Sequence, residues 1–453
     1  MVNNVVAEIA DKGLCSSCGV CVGLCPSHAL SMEIQDNGDL VPCVDTGLCL
    51  DKCHLCLDVC PFSGGVHDPR AKNIELFASE PDFIYDEDIG WHYRSIAGFR
   101  NEVSLRQASA SGGLAMWCLE TLLKKQLVTQ VAVVRFSGNH EKGFFEYFAA
   151  SSIEELRASS GSIYHPVEIS DVLRKITSDA EARWAVVGVP CLCVAIRNSS
   201  RLRKRVAFVF GLACGMYQNT FYTEMLLNES GVDCGNVENI EYRRKSDGGT
   251  PSDFRFRGTD NRGAGKEIPY HGLPYYLGKH AFFRLNACNY CMDVFAEAAD
   301  ACFMDAWLPA YRQESKGTSL VLLRNKDLYG LFLQGQSEVE LQIDETGAED
   351  IVLSQRGHVR RKRDLIYMRR GVECPRELVR GRPTFTEKVD WWLQQRVQER
   401  SKSAWAGYGR RYGQIVFWIV LSDVLLLQLT TKCIMKTVAF PKRLFRKFRS
   451  MLS

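Results

Sequence analysis

The chain has 453 residues, 46% of them apolar and 24% charged, with a formal net charge of +3. The composition is that of a soluble globular protein, and the length suggests about two to four domains with room for a sizeable core. Nineteen cysteines, nine of them within residues 15–60 and with no apolar signal segment ahead of Cys15, point to cluster ligands in a reducing cytoplasm and exclude a disulfide scaffold.

The net charge hides an asymmetry. The first 68 residues are acidic (Glu8, Asp11, Asp36, Asp39, Asp45, Asp51 and Asp58 among them), whereas the stretches 356–382 and 436–449 are basic. An acidic face can steer a basic partner, and a solvated surface is the equally good alternative. The basic run 356–382 lacks interleaved aromatics and a reader fold, so nucleic acid is set aside.

Residues 15–60 carry two cysteine series. The first, Cys15-Ser-Ser-Cys18-Gly-Val-Cys21-Val-Gly-Leu-Cys25-Pro26, matches the C-x₂-C-x₂-C-x₃-C-P run of bacterial ferredoxins. In that run three cysteines hold one [4Fe–4S] cluster and the fourth reaches the other. The second series, Cys49, Cys53, Cys56 and Cys60-Pro61, repeats it with one extra residue in the first gap. Cys43 competes with Cys49 for the first ligand, and Cys49 is preferred because a one-residue bulge distorts less than a longer reach. A single cluster, structural zinc and disulfides are the alternatives. Zinc normally uses two well-separated Cys-x₂-Cys pairs.

Between the series, residues 29–34 read as one arm of a hairpin that turns at Asp36-Asn-Gly-Asp39. A polar connector without regular period runs to about residue 95. Helical patterns at 114–126 and 169–176 alternate with the apolar runs 131–136, 184–189 and 205–211, which suggests α/β architecture with a largely parallel sheet. Charged, Gly-rich sequence at 240–265 reads as antiparallel strands and turns, and 319–324 as another buried strand. The apolar stretch 415–429 is interrupted by Asp423 and falls short of the roughly 20 residues of a spanning helix. With Lys432, Lys436, Lys442, Arg443, Arg446, Lys447 and Arg449 behind it, it reads as a helix docked on the core or as one lying in a membrane plane.

Four further cysteines sit in distinctive places. Cys191 ends Val187-Gly-Val-Pro-Cys191 after one strand, Cys214 follows the next, and Cys288-Asn-Tyr-Cys291-Met-Asp293 comes later. Loops after neighbouring parallel strands open at one sheet edge, where ligands bind, so four thiolates there can hold a third [4Fe–4S] cluster. Cys118, Cys193, Cys234, Cys302, Cys374 and Cys433 read as core residues. The loop Gln107-Ala-Ser109-Ala-Ser111-Gly112-Gly113 opens a helix, a place where free N–H groups can cradle phosphate. Neither a G-x-G-x-x-G fingerprint nor a Walker A sequence is present.

Taken in order, Ala108-Ser-Ala-Ser-Gly-Gly113, Gly161-Ser-Ile-Tyr164, Val187-Gly-Val-Pro-Cys191, Tyr242-Arg-Arg-Lys245, Cys288-x-x-Cys291-x-Asp293, Ala299-Asp300, Met304-Asp305-Ala-Trp307 and Lys316-Gly-Thr-Ser-Leu-Val carry a resemblance. With them the chain resembles the family of beta subunits of coenzyme F420 hydrogenases and dehydrogenases. The likeness runs from Cys15 to about Asn325. It implies a small bacterial-ferredoxin-like domain (1–68), a connector (69–95), a flavin-binding α/β domain (96–380) and a helical, basic extension (381–453), an α+β domain followed by an α/β one. It also implies two [4Fe–4S] clusters on Cys15, Cys18, Cys21, Cys25, Cys49, Cys53, Cys56 and Cys60, and a third on Cys191, Cys214, Cys288 and Cys291. FAD is implied at Ser109, Ser111, Gly112, Gly113, Ser162 and Tyr164, and Lys245 is implied as the catalytic group approaching the flavin or an anionic substrate. Two positions depart from the pattern: Ile163 stands where relatives often carry Lys, and Met304 where they carry Gly.

The reading is therefore a cytoplasmic iron–sulfur flavoprotein oxidoreductase. Electrons would pass from a redox partner protein through the clusters to FAD, and hydride would pass between FAD and coenzyme F420 or another reducible small molecule. A non-catalytic electron relay within a larger complex, and a reductase lying against the inner face of the membrane in glycan or lipid synthesis, are the other readings. Anaerobic purification is expected to return about twelve iron atoms per FAD for three cubanes, and about eight if one site is missing.

Overall fold

The computed structural model describes residues 3–138, 143–245, 249–272, 281–373, 379–423, 425 and 426. The basic tail beyond 426, with Cys374 and Cys433, lies outside the described residues. The strands in chain order are β1 (Leu30–Ile34), β2 (Leu40–Val44), β3 (Ile84–Asp86), β4 (Gly90–His92), β5 (Arg94–Arg100), β6 (Gln130–Phe136), β7 (Phe145–Ala150), β8 (Trp184–Gly188), β9 (Val206–Leu212), β10 (Val237–Lys245), β11 (Phe254–Asp260), β12 (Ile268–Pro269), β13 (Ala301–Asp305), β14 (Ser319–Leu323) and β15 (Leu341–Glu345).

Eight of them form one sheet in the order β15-β5-β14-β13-β9-β8-β6-β7. The expectation of a largely parallel sheet needs correction. Only β6–β8, β8–β9 and β9–β13 pair in parallel, while β7, β14, β5 and β15 add antiparallel at the two sides. The cause is local. β6 is followed by β7 after only eight residues, too few for the crossover of a dozen or more that a parallel return takes, whereas the thirteen residues between β13 and β14 contain no crossover α-helix and bring β14 back antiparallel beside β13. The fold is mixed α/β.

The inner strands are apolar because both faces are covered. On one face Leu114, Trp117 and Leu122 of the helix Leu114–Lys124 pack with Leu328 and Phe332 of the helix Lys326–Ser337. On the other, the helix Ser170–Ser178 presents Val172, Leu173 and Ile176, spaced as one helical stripe, while Pro190–Asn198 adds Leu192 and Ile196. A separate core joins β10, β11 and β12, an antiparallel sheet as expected, to the helix Thr220–Ser230, to Trp405 and to Phe417. The long helix Phe385–Ala404 begins at a capping box between Thr384 and Glu387. In the helix Gln414–Val420, Phe417 is buried against Phe283 and Trp405, whereas Ile415 and Ile419 are exposed. Among the described residues no helix is long and apolar enough to cross a membrane.

The cysteine-rich segment shares a core with the body. Val20, Leu24 and Val59 pack with Ile169, Val172 and Leu173, and the Ile169 N–H donates to the Cys18 carbonyl at 3.1 Å. Gly23 lies so close to the helix Ser170–Ser178 that a Cβ there would stand 2.9 Å from Leu173 and Ser170. The β1–β2 hairpin forms where expected, and its turn is docked: Asp39 accepts from Lys402 Nζ at 2.7 and 2.8 Å, and the Gly38 carbonyl accepts from Thr220. Part of the acidic surface is thereby neutralised within the chain. Leu173→Ala is expected to cost about 2–5 kcal/mol of folding free energy through the cavity it leaves. Urea unfolding followed by tryptophan fluorescence checks this, together with faster alkylation of Cys18 in the metal-free chain.

Candidate functional site

The two cysteine series repeat in conformation as well as in spacing. The residue before the second cysteine is left-handed in both, Ser17 at φ 62° and Lys52 at φ 62°. A four-residue helix then starts two residues after it, Val20–Gly23 carrying Cys21 and Leu55–Asp58 carrying Cys56. This wraps each series around a point and aims main-chain N–H groups at sulfur. Ser17 donates to Cys15 Sγ at 3.4 Å, Val20 to Cys18, Val5 and Leu57 to Cys56, and Phe62 and Ser63 to Cys60.

Electrostatic neighbours sort the thiols into two sets. Burial pushes the Cys15 and Cys21 thiols far up and Cys60 up to about 12, and Cys15, Cys18, Cys21 and Cys60 act on one another. Cys49 stands near Cys25 and Cys53, and Cys56 near Cys53 and Cys49. Cys60 has Cys56 of its own series as a neighbour as well as Cys18, so the last cysteine of each series reaches towards the other series. Cys43 sits on β2 opposite Ser31, beside Glu33 and Gln35, with no cysteine among its nearest charged neighbours. A small pocket lies among Cys15, Cys18, Cys21 and Cys60, walled by apolar side chains such as Val5, Ile9 and Val59. Cys49 lies nearer solvent, between half-exposed Leu48 and Leu50.

A third set gathers at the carboxyl ends of β8 and β9. Cys191 opens the helix Pro190–Asn198, Cys214 follows β9, and Cys288 and Cys291 lie on and just after the short 3₁₀ turn Asn286–Tyr290. Burial raises the Cys191 thiol, with Cys18, Cys291 and Cys214 adding to it, and Cys214 is pushed up to about 12 beside Cys288 and Cys291. The Ser16 hydroxyl faces the sulfurs of both Cys18 and Cys191, able to give its single proton to either, and so lies where the first set meets the third. The described cysteines are all unpaired thiols. Among the described residues no three His, Cys, Asp or Glu side chains are gathered as a single metal ion requires.

The unforeseen part of this site is its cover. The basic run 356–370 folds inward. Lys362, 2% exposed, donates from Nζ to the carbonyls of Cys214, at 3.2 Å, and Asp293. Arg361 donates to the Gly215 carbonyl at 2.6 Å, Arg363 to Met292 at 3.3 Å, and Arg369 to Cys288. Burial opposes the Lys362 charge, but Cys291, Cys214, Cys288 and Asp293 outweigh it and leave its pKa above the ordinary lysine value. Asp293 itself faces His67, Nε2 to Oδ2 3.7 Å, and both are fully buried. Only the density of arginine and lysine signalled this in the sequence, and density alone does not say which way a segment faces.

A second small space opens at the same sheet edge, where β13 ends at Asp305 and β10 at Lys245, and Ser111, Trp307 and Thr318 also line it. Lys245 Nζ donates to the carbonyls of Arg106, Ser111 and Lys316 at 2.8, 3.0 and 2.6 Å. Burial, then Arg243 and Arg106, pull its pKa down to about 7. Three carbonyl acceptors need three N–H donors, which only the ammonium supplies. Arg243 makes a two-point pair with Asp305 at 2.7 and 3.2 Å and donates to the Tyr164 hydroxyl, which also accepts from Ser162.

Of the Ser109–Gly113 loop, Ser111 borders this space and its hydroxyl donates to the Thr318 carbonyl at 2.8 Å. Ser109 Oγ donates to the Leu105 carbonyl. Gly112 is pressed into the sheet, where a Cβ would meet the Gly98 carbonyl at 2.5 Å and the Ser319 nitrogen at 2.7 Å. Gly113, at φ +84°, would collide with Arg100. These glycines let the loop cross the sheet edge.

The sequence matches two adjoining parts of one family, the beta subunit of coenzyme F420 hydrogenase/dehydrogenase: its N-terminal part over residues 95–174 and its C-terminal part over residues 181–349. The chain belongs to this family of beta subunits. It is similar to the F subunit of F(420)H(2) dehydrogenase from Methanosarcina mazei, 24% identical over 232 residues, covering 49% of this chain and 59% of that relative's length. Among solved structures it is similar to a chain of the F420-reducing [NiFe] hydrogenase complex from Methanosarcina barkeri, at 16% identity and TM-score 0.46, covering 62% of this chain and 92% of that one.

The family match includes the third cysteine set, the Ser109–Gly113 loop, Ser162, Tyr164 and Lys245, and places the protein in an oxidoreductase family. The first two cysteine sets and the basic cover fall outside it. Between the third set and the second space stand aromatic groups: Tyr217, whose N–H donates to Cys288 Sγ at 3.3 Å, then Tyr242, and Tyr164 at 5.5 Å from Tyr242. Behind them His165 Nδ1 contacts Thr223 Oγ1 at 2.7 Å, which meets the Tyr242 hydroxyl at 2.5 Å.

Burial lowers the His165 pKa from 6.5 to about 3. The folded protein keeps the ring neutral while the unfolded chain takes up a proton below 6.5. Its contribution is therefore complete above pH 6.5 and is lost as pH falls towards 3. In His165→Gln the acid limb of stability against pH is expected to be shallower by up to about 1.4 kcal/mol per pH unit, as read by urea unfolding at a series of pH values.

Proposed function

We propose that the protein is an iron–sulfur flavoprotein oxidoreductase that moves electrons between thiolate-held clusters and FAD, and hydride between FAD and a reducible organic molecule such as coenzyme F420. The observation that carries this reading is the gathering of the third cysteine set and the polar space at one sheet edge, with Cys18 of the N-terminal segment beside Cys191. From the surface the order is the set containing Cys49, the set containing Cys15, the set containing Cys191, and then the space bounded by Lys245 and Arg243.

The residues fit the groups proposed. Four thiols line an apolar space, main-chain N–H groups point at sulfur, and coordination would convert neutral buried thiols to thiolates, so that the cation removes the desolvation cost that raises their pKa. Cys15, Cys18, Cys21 and Cys60 would hold one [4Fe–4S] cluster, Cys25, Cys49, Cys53 and Cys56 a second, and Cys191, Cys214, Cys288 and Cys291 a third. FAD, when bound, supplies conversion between one-electron and two-electron transfer. Lys245 joins the helix carrying Arg106, the segment after it at Ser111 and the loop at Lys316 through their carbonyls. Arg243, fixed by Asp305, presents a cation suited to a phosphate or to an anionic substrate. Ser111, Ser162 and Tyr164 complete the polar wall, with Ser109, Gly112 and Gly113 shaping the loop behind it.

A protein partner delivering or receiving electrons would dock near Cys49, where the nearest set approaches the surface. The name of the Methanosarcina mazei relative, one subunit of a dehydrogenase, supports operation within an assembly.

Anaerobically purified protein is expected to carry one flavin per chain and to pass electrons from reduced ferredoxin or a viologen to the deazaflavin coenzyme. Asp305→Asn, by releasing Arg243, is expected to weaken flavin retention about tenfold or more, a loss of about 1.5–3 kcal/mol typical of a hydrogen bond to a charged group. Released flavin fluorescence after desalting measures it. Chains that purify with full iron and no flavin would instead mark a non-catalytic relay.

A further inference from the structure

The basic segment 360–369 lies beyond the family match, yet its side chains are spent on the loops that carry the third cysteine set. Lys362 donates to the carbonyls of Cys214 and Asp293, Arg361 to Gly215, Arg363 to Met292, and Arg369 to Cys288. Each acceptor is a cysteine of that set, its neighbour, or Asp293 two residues on. The contact is close enough that a Cβ on Gly215 would overlap the His358 ring. Lys362 and Arg369 are 2% and 5% exposed, so their charges act through the interior with little water to screen them. The facing anions are few. Asp293 faces His67 as well as Lys362, and Glu297 is engaged by Arg363.

Resting on the third-cluster reading above, we propose that this segment is a built-in electrostatic collar that raises the reduction potential of the cluster held by Cys191, Cys214, Cys288 and Cys291, with Lys362 its principal residue. Lys362 is a positioning and tuning residue. It bonds to the backbone of the ligand loops and touches no reacting atom. Adding one electron to the cluster adds one negative charge at constant ligation, with no bond made or broken. A buried ammonium facing three of the four cysteines stabilises that added charge, and net charge around a cluster is one of the levers on its potential. The potential of the cluster beside the flavin space would thus be set by sequence that the family match does not include.

The test compares the full-length, anaerobically purified protein with Lys362→Met and Lys362→Arg, using potentiometric EPR and iron quantitation. The signals of the two N-terminal clusters serve as internal references. In Lys362→Met the third cluster's reduction equilibrium is expected to fall about tenfold, ~59 mV for a one-electron couple, with iron content and the reference signals unchanged. Lys362→Arg restores the wild-type value. Full iron with an unmoved potential in Lys362→Met overturns the proposal. If Lys362→Met loses the third site's iron, Arg361→Gln is read instead, where a lowered potential supports the collar and an unchanged one overturns it. A Cys288→Ala/Cys291→Ala double variant that keeps all its iron and every EPR signal shows that the third-cluster reading itself is wrong, separately from any effect of Lys362.

Discussion

The arrangement depends on four parallel strands ending at one edge. β6, β8, β9 and β13 run the same way, so the chain leaves β8, β9 and β13 at Gly188, Leu212 and Asp305 on a common rim. Cys191 and Cys214 follow two of those ends and Asp305 terminates the third. The antiparallel strands outside them close the sheet and supply β5 and β14, between which Gly112 is wedged. Every group assigned chemistry in the main body is within a few residues of this rim or packed over it.

A second constraint follows from placing so many thiols in an apolar interior. Neutral thiols tolerate burial, but thiolates demand compensation. The chain provides it in two ways. In the N-terminal sets the compensation is main-chain N–H groups, such as those of Ser17 on Cys15, Leu57 on Cys56 and Phe62 on Cys60. In the third set it is side-chain cations from a distant segment, which also occupy the carbonyls of the ligand loops. The N-terminal sets therefore work with local sequence, whereas the third is assembled from residues 191 to 369.

Local features were legible from the residues. The hairpin at 29–44, the helix opening at Leu114, the buried strands and the antiparallel 240–265 region follow from periodicity and turn residues, which act over a few positions. The order of strands in the large sheet was not legible, because apolar runs do not record direction and the chain returns antiparallel after both β6 and β13. The Gly112–Gly113 pair shows the same limit. Small residues there signal close backbone packing but not its partner, which at Gly112 is the backbone of Gly98 and Ser319. The basic run after residue 356 reads as surface, since long cationic side chains are usually solvated. Its inward turn depends on acceptors at Cys214, Cys288 and Asp293 that are remote in sequence.

By itself the sequence determined the chemistry available: which residues can ligate, the repeated short-range spacing of the two N-terminal cysteine series, and membership of a redox family. Spacing of two to four residues is fixed by backbone geometry and needs no tertiary information. Only the tertiary structure decided the approach of Cys18 and Cys191 to one another beside Ser16, the joining of Arg106, Ser111 and Lys316 by Lys245, and the burial of Lys362 over the third set. Those relations join residues remote from one another in the chain. They are settled by which faces of the sheet and helices must be covered, a competition among all apolar surfaces that no local pattern encodes.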